Sequence, residues 1–156
     1  MTVIASTQHP SEIQSTLALL LGVSSNSVTV QTRRIGGGFG GKESQGSLCA
    51  GVAAIAAQLT SQPVKVRLDR DQDMIMTGKR HDFRIDYKAG FDNDGLIRGV
   101  SLDYASRCGH SLDQSKAVND RTLLHADNAY YLENATLTSH RYHTNTTSNT
   151  AFRGFG

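Results

Sequence analysis

Charge of one sign, cysteine, proline and long apolar runs are all scarce in this sequence. Sixteen Lys and Arg stand against 14 Asp and Glu, a formal net charge of +2. That balance leaves no electrostatic footprint for nucleic acid and no polybasic membrane anchor. No apolar run approaches the ~20 residues that cross a bilayer. Met1 to Ala5 has no basic stretch leading into an apolar one, so no signal peptide is expected. The two cysteines, Cys49 and Cys108, lack metal-ligand spacing. Cys49 lies among small residues and reads as a buried thiol. Together these features point to a reduced, cytoplasmic setting. Six histidines are scattered (His9, His81, His110, His125, His140 and His143), and no metal site emerges from them. On a strand, His140 and His143 face opposite ways.

What is present is a chain of 156 residues, 38% hydrophobic and 19% charged, enough for one domain with a core. Ser11, after Pro10, can cap a helix whose apolar face is Ile13, Leu17, Leu20 and Leu21 and which ends at Gly22. Ser24 to Asn26 turn the chain into a strand that starts at Val28 and runs towards Ile35. A second helix, rich in Ala, is expected from about Glu43 to about Leu59. Val64, Val66 and Leu68 alternate as a strand, and Asp69 to Thr77 reads as a short helix or turn. Phe83, Ile85 and Tyr87 pair with Leu96 to Tyr104 as a hairpin across Asp92-Asn93-Asp94-Gly95. Cys108 to Lys116 reads as loop, and Asn119 as the cap of a helix through Leu123 to Ala126. Thr136 to Thr138 reads as a last strand, and Thr144 to Asn149 as loop. The pattern predicts an α+β fold, helices packed on antiparallel strands.

Two segments carry chemistry. The first is Gly36 to Glu43, with five glycines in the six residues Gly36 to Gly41 and Phe39 the single bulky one. Glycines let backbone approach a ligand closely, and N–H groups at a helix start attract anions. Gly36, Gly38 and Gly41 satisfy a dinucleotide fingerprint between an expected strand and an expected helix. Asp69 would then be the ribose-binding acid, although the separation exceeds the usual ~20 residues. The P-loop pattern fails at Glu43, where Ser or Thr must bind magnesium. The second segment is Ala151-Phe152-Arg153-Gly154-Phe155-Gly156, which reads as a binding loop continuing past the last residue. From the residues alone the leading generic reading is a dinucleotide- or anion-binding module.

Taken together, the segments resemble one family. Thr7-Gln8-His9-Pro10, Gly36 to Glu43, Thr77 to His81, and Ser148 to Gly156 (SNTAFRGFG) are similar to the molybdenum-cofactor-binding part of the xanthine dehydrogenases and xanthine oxidases. The likeness runs along the whole chain. It implies a single piece, residues 1–156, of a larger molybdopterin-binding domain, incomplete at both ends. It implies a molybdenum–pterin cofactor here, with 2Fe-2S clusters and FAD on other domains or subunits of an oligomeric enzyme. The cofactor carries the hard chemistry and the protein supplies position and electrostatics.

By the same resemblance, the backbone at Phe39, Gly40 and Arg153 approaches the cofactor, with Phe39 and Arg153 nearest the molybdenum. Glu43 and Arg121 match the family residues that hydrogen-bond a purine substrate from opposite sides, and Phe155 the one that packs on its ring. Without the resemblance, Glu43 is a helix-start carboxylate, Arg121 an ion-pair partner and Phe155 a core residue. Aldehyde oxidases share the glycine motifs but carry apolar residues at the Glu43 and Arg121 positions, so a purine is the expected substrate. An aldehyde or another N-heterocycle is the alternative. The base glutamate of the family, like a cofactor-contacting glutamine segment, lies outside this sequence, so the isolated chain is expected to be inactive. It is also expected to retain no molybdenum alone and to expose apolar surface.

Overall fold

A computed structural model describes residues 1–155 and resolves two compact units, Met1–Gly78 and Lys79–Gly156, of which Gly156 lies outside the described residues. The fold is α+β, as expected.

In the first unit, β1 (Thr2–Ile4) pairs in parallel with β2 (Thr29–Gln31), and α1 (Pro10–Leu21) makes the crossover. A strand of three residues is too short for alternation to announce, and β1 was not anticipated from the sequence. Helix α1 begins two residues earlier than Ser11 as cap would set it. His9 occupies the cap position and Pro10 the first helical one, where a missing N–H costs nothing. Thr7 Oγ1 accepts the His9 N–H at 2.9 Å. Gly22 closes the helix in the left-handed conformation, as its sequence position suggested.

Helix α2 (Gly46–Thr60) packs on α1. A Cβ on Gly46 would lie 3.3 Å from Ile13 Cδ1, so the small-residue face is what lets the helices close up. The core is Ile13, Leu17, Val28, Ala50 and Ala54. Each of its larger aliphatic side chains contributes about 1.5–3 kcal/mol by burial. The opposite stripe of α2, with Leu48, Val52, Ile55 and Leu59, is exposed. Among the described residues, Val64 to Leu68 form no strand, because no neighbouring strand supplies a ladder. Helix α3 (Arg70–Met76) starts with a reciprocal capping box between Asp69 and Gln72.

In the second unit, β3 (Phe83–Phe91) and β4 (Ile97–Gly109) form the expected hairpin. Asp92 Oδ1 accepts the N–H groups of Asp94 and Leu96, both at 3.0 Å, which shapes the turn. Helix α4 (Ser115–Leu124) follows, and β5 (Ala135–His143) then pairs with β4 in parallel. The expectation of antiparallel strands holds for β3 and β4, while β5 runs parallel to β4. A parallel neighbour needs a crossover of a dozen or more residues, and the segment containing α4 supplies it.

Asn119 is no cap. It lies inside α4 and is buried, with Oδ1 accepting from Ser106 Oγ at 2.7 Å and Nδ2 donating to Ser139 Oγ at 2.6 Å. The polar end of the expected Thr144–Asn149 loop is likewise interior. Ser148, Asn149, Thr150 and Ala151 are all buried. Asn149 N–H donates to Cys108 O at 2.8 Å and Thr150 N–H to Lys79 O at 2.9 Å, so burial leaves these backbone donors satisfied.

Candidate functional site

The glycine loop of the first unit is flanked by regular structure on neither side. Strand β2 stops at Gln31 and α2 starts at Gly46. A dinucleotide fingerprint needs its glycines to open directly into a helix N-terminus, so the strand-loop-helix context expected from the sequence is not formed. Glu43 lies in the turn before α2, not on the helix.

The loop takes its shape from left-handed backbone. Gly36, Gly37 and Gly40 have φ of 66°, 94° and 92°, and Phe39 joins them at 52°. A non-glycine residue there costs about 1–3 kcal/mol. Phe39 remains 67% exposed. The strain thus displays the ring rather than burying it.

One side chain organises the loop. Gln8 Oε1 accepts the Gly40 N–H at 2.9 Å and the Lys42 N–H at 3.2 Å. Gln8 N–H donates to Lys42 O at 2.8 Å, and Thr7 Oγ1 to the same oxygen at 3.0 Å. Lys42 Nζ donates back to Ser6 Oγ at 2.9 Å. A Cβ on Gly38 would lie 2.4 Å from Gln8 Oε1, so a side chain there would have to displace the Gln8 amide. The Gly40 N–H is therefore consumed within the protein. The N–H groups of Gly36 to Phe39 have no partner among the described residues. The Glu43 carboxylate, half-buried, also has none.

In the second unit, Phe152 to Phe155 form a tight turn, Phe155 N–H to Phe152 O at 2.7 Å, with Gly154 at φ 91° and Phe155 at φ 65°. Arg80 Nη1 donates to Arg153 O and fixes the turn from outside. Arg153 N–H has no partner among the described residues. Gly154 lines a cavity of about 300 Å³ together with Phe83, Tyr104, Arg121, Thr122 and His125. The Arg121 guanidinium has no hydrogen-bond or ion-pair partner among the described residues, so the ion-pair reading of its sequence position does not apply. Burial pushes the Tyr104 phenol above its ordinary range.

The structure thus brings Arg121 and the Arg153 turn to one cavity and places Phe39, Gly40 and Glu43 on one loop. Sequence reading gave no separate role to Gln8, Arg80 or His125. Gln8 and Arg80 lay in plain view, but the partner of each is remote in the chain. Gln8 and Gly40 are separated by 32 residues, Arg80 and Arg153 by 73. No group of three or more His, Cys, Asp or Glu able to hold a metal ion occurs among the described residues.

The family model for the molybdopterin cofactor-binding domain matches residues 1–156. The chain belongs to the molybdopterin cofactor-binding domain family. It is 46% identical over 156 residues to the xanthine dehydrogenase/oxidase of Gallus gallus, covering 100% of this chain and 12% of that protein. It is 47% identical over 153 residues to the xanthine dehydrogenase of Oryza sativa subsp. japonica, covering 98% of this chain and 11% of that one. The chain therefore spans about an eighth of the length of the curated relatives it matches. Among solved structures, the aldehyde oxidoreductase of Desulfovibrio desulfuricans superposes with a TM-score of 0.86 at 24% identity, covering 99% of this chain and 17% of that one. At that identity the likeness establishes the fold.

The donor set of this molybdopterin cofactor-binding domain suits the group its family is named for. Such a cofactor presents anionic and oxygen-rich surfaces, and unpartnered N–H groups on bare glycine backbone are complementary to them.

Proposed function

We propose that the complete protein is a molybdenum hydroxylase of the xanthine dehydrogenase type, oxidising hypoxanthine to xanthine and xanthine to urate. When bound, the molybdenum–pterin cofactor supplies oxygen transfer to carbon and the accompanying redox change. The chain's own residues bind and orient. The N–H groups of Phe39 and Arg153 donate towards the cofactor, and Gly40 offers a backbone without a side chain. Glu43 accepts hydrogen bonds from ring N–H groups of the substrate. Phe155 packs on the flat ring. Arg121 donates to a purine carbonyl and stabilises negative charge as it develops on the ring. Iron–sulfur and FAD domains or subunits receive the electrons, in an oligomer placed in the cytoplasm. The cytoplasmic placement agrees with two free cysteines. No helix among the described residues is long and apolar enough to cross a membrane.

The observation that carries the purine reading is Arg121, a guanidinium without a protein partner beside a cavity that also meets the Arg153 turn. The test is Arg121→Met in the full-length enzyme, assayed with xanthine and with a simple aromatic aldehyde. Loss of a hydrogen bond to a charged donor lowers kcat/KM for xanthine by about 10- to 100-fold. The aldehyde, which has no second carbonyl to bind, keeps its rate. Equal loss on both substrates would remove the purine role of Arg121 and leave the cofactor assignment standing.

A further inference from the structure

We infer that Asn119 is a positioning residue. Its buried amide fixes the seat of α4 on the sheet and so aims Arg121 into the cavity beside the Arg153 turn. The inference rests on the proposed role of Arg121 in binding the purine.

The observation that carries it is the make-up of the inward face of α4. Ser115, Val118, Asn119 and Thr122 follow helical spacing; the first three are buried and Thr122 is half-buried. Of the four, only Val118 is an apolar residue. A helix docked by an apolar stripe is held by a non-directional force that tolerates rotation and sliding. Helix α4 is docked instead by hydrogen bonds, which weaken steeply away from their preferred angle. Asn119 makes most of them. Its Oδ1 accepts from Ser106 Oγ of β4 at 2.7 Å, and its Nδ2 donates to Ser139 Oγ of β5 at 2.6 Å and to His140 O at 3.3 Å. One side chain thus spans two strands. At the start of the helix, Ser115 Oγ lies 2.7 Å from His81 Nε2.

Arg121 follows Asn119 by two positions and lines the cavity with Thr122 and His125. Successive residues of a helix point about 100° apart, so a slip of α4 by one position turns Arg121 away. The guanidinium has no partner among the described residues to hold it in place, and its placement follows the backbone of α4. Asn119 does not itself line the cavity. It acts through Arg121.

The experiment uses the full-length enzyme carrying Asn119→Leu or Ser106→Ala, each alone and combined with Arg121→Met. Xanthine and a simple aromatic aldehyde are the substrates, and rates are taken per bound molybdenum. Amide hydrogen exchange is followed over residues 116–125. Asn119→Leu lowers kcat/KM for xanthine by about tenfold, since a misplaced donor forfeits part of what its removal loses. The aldehyde rate is unchanged. Exchange over α4 rises about tenfold, the equivalent of one modest hydrogen bond. Added to Arg121→Met, Asn119→Leu causes no further loss on xanthine, because the group it positions is already gone. Ser106→Ala leaves residue 119 in place, removes the hydroxyl its oxygen accepts from and gives the same pattern at smaller amplitude. The test therefore survives if the leucine variant does not fold. Equal loss on both substrates, or full further loss in the Arg121→Met background, overturns the positioning role, since Asn119 then serves the fold and not Arg121. Unchanged exchange in both variants overturns it by showing that other contacts seat α4. A xanthine rate that survives Arg121→Met removes the purine reading itself and the inference with it. A rate that Arg121→Met lowers and neither variant touches removes the inference alone.

Discussion

Two residues show how single positions carry this fold. Gly109 has φ 92°, and a Cβ there would lie 2.4 Å from Ser148 Cα and from Thr147 O. Backbone atoms cannot swing aside as a flexible side chain can. Gly109→Ala is therefore expected to destabilise the second unit by about 2–4 kcal/mol, read as a lowered urea midpoint. An unchanged midpoint would show that β4 can shift to accept a methyl group. His81 is buried, with Nε2 2.7 Å from Ser115 Oγ. Burial pulls its pKa below the ordinary histidine value of 6.5, against the opposing influence of the Thr150 backbone and of Asp113 and Asp82. Between the folded and unfolded values the unfolded chain holds a proton that the folded chain does not. Stability contributed by neutral His81 is then complete above about pH 6.5 and lost as pH falls through that window. His81→Gln is expected to flatten the slope of stability against pH below 6.5, and a slope as steep as the parent's would assign acid sensitivity to other groups.

At the scale of elements, local signals and long-range ones part company. The hairpin was legible because Asp92 to Gly95 holds its turn information within a few residues. The end of α1 was legible because Gly22 alone decides it. The direction of β5 was not, since nothing within Ala135–His143 distinguishes a parallel from an antiparallel neighbour. Asn119 misled for a related reason. The residue that favours caps is also a good buried hydrogen-bonder, and its two partners, buried Ser106 and half-buried Ser139, come from other elements. The exposed stripe of α2 leads to a prediction at this scale. Ile55→Lys with Leu59→Lys is expected to leave α2 folded, since the core face is Ala50 and Ala54. It should reduce binding of an apolar-surface dye by the isolated chain. Undiminished dye binding would place the exposed apolar surface elsewhere.

At the scale of the molecule, this chain covers 12% of the Gallus gallus relative. Purified alone, the chain is expected to retain no molybdenum. Metal analysis by mass spectrometry checks this, and near-stoichiometric molybdenum would mean that the two loops suffice to hold the cofactor.

The family and its cofactor were readable from the order and content of a few short motifs, because a glycine-rich backbone loop is encoded where it stands. The end of α1 at Gly22, the hairpin turn and the α+β class were readable for the same reason. They rest on backbone preference and periodicity within a handful of neighbours. Only the tertiary structure decided that Gln8 grips the glycine loop, that Arg80 fixes the Arg153 turn, and that Arg121 stands without a partner beside a cavity. Those pairings depend on which distant segments the folded chain brings within hydrogen-bond reach, and side-chain identity carries no record of distance.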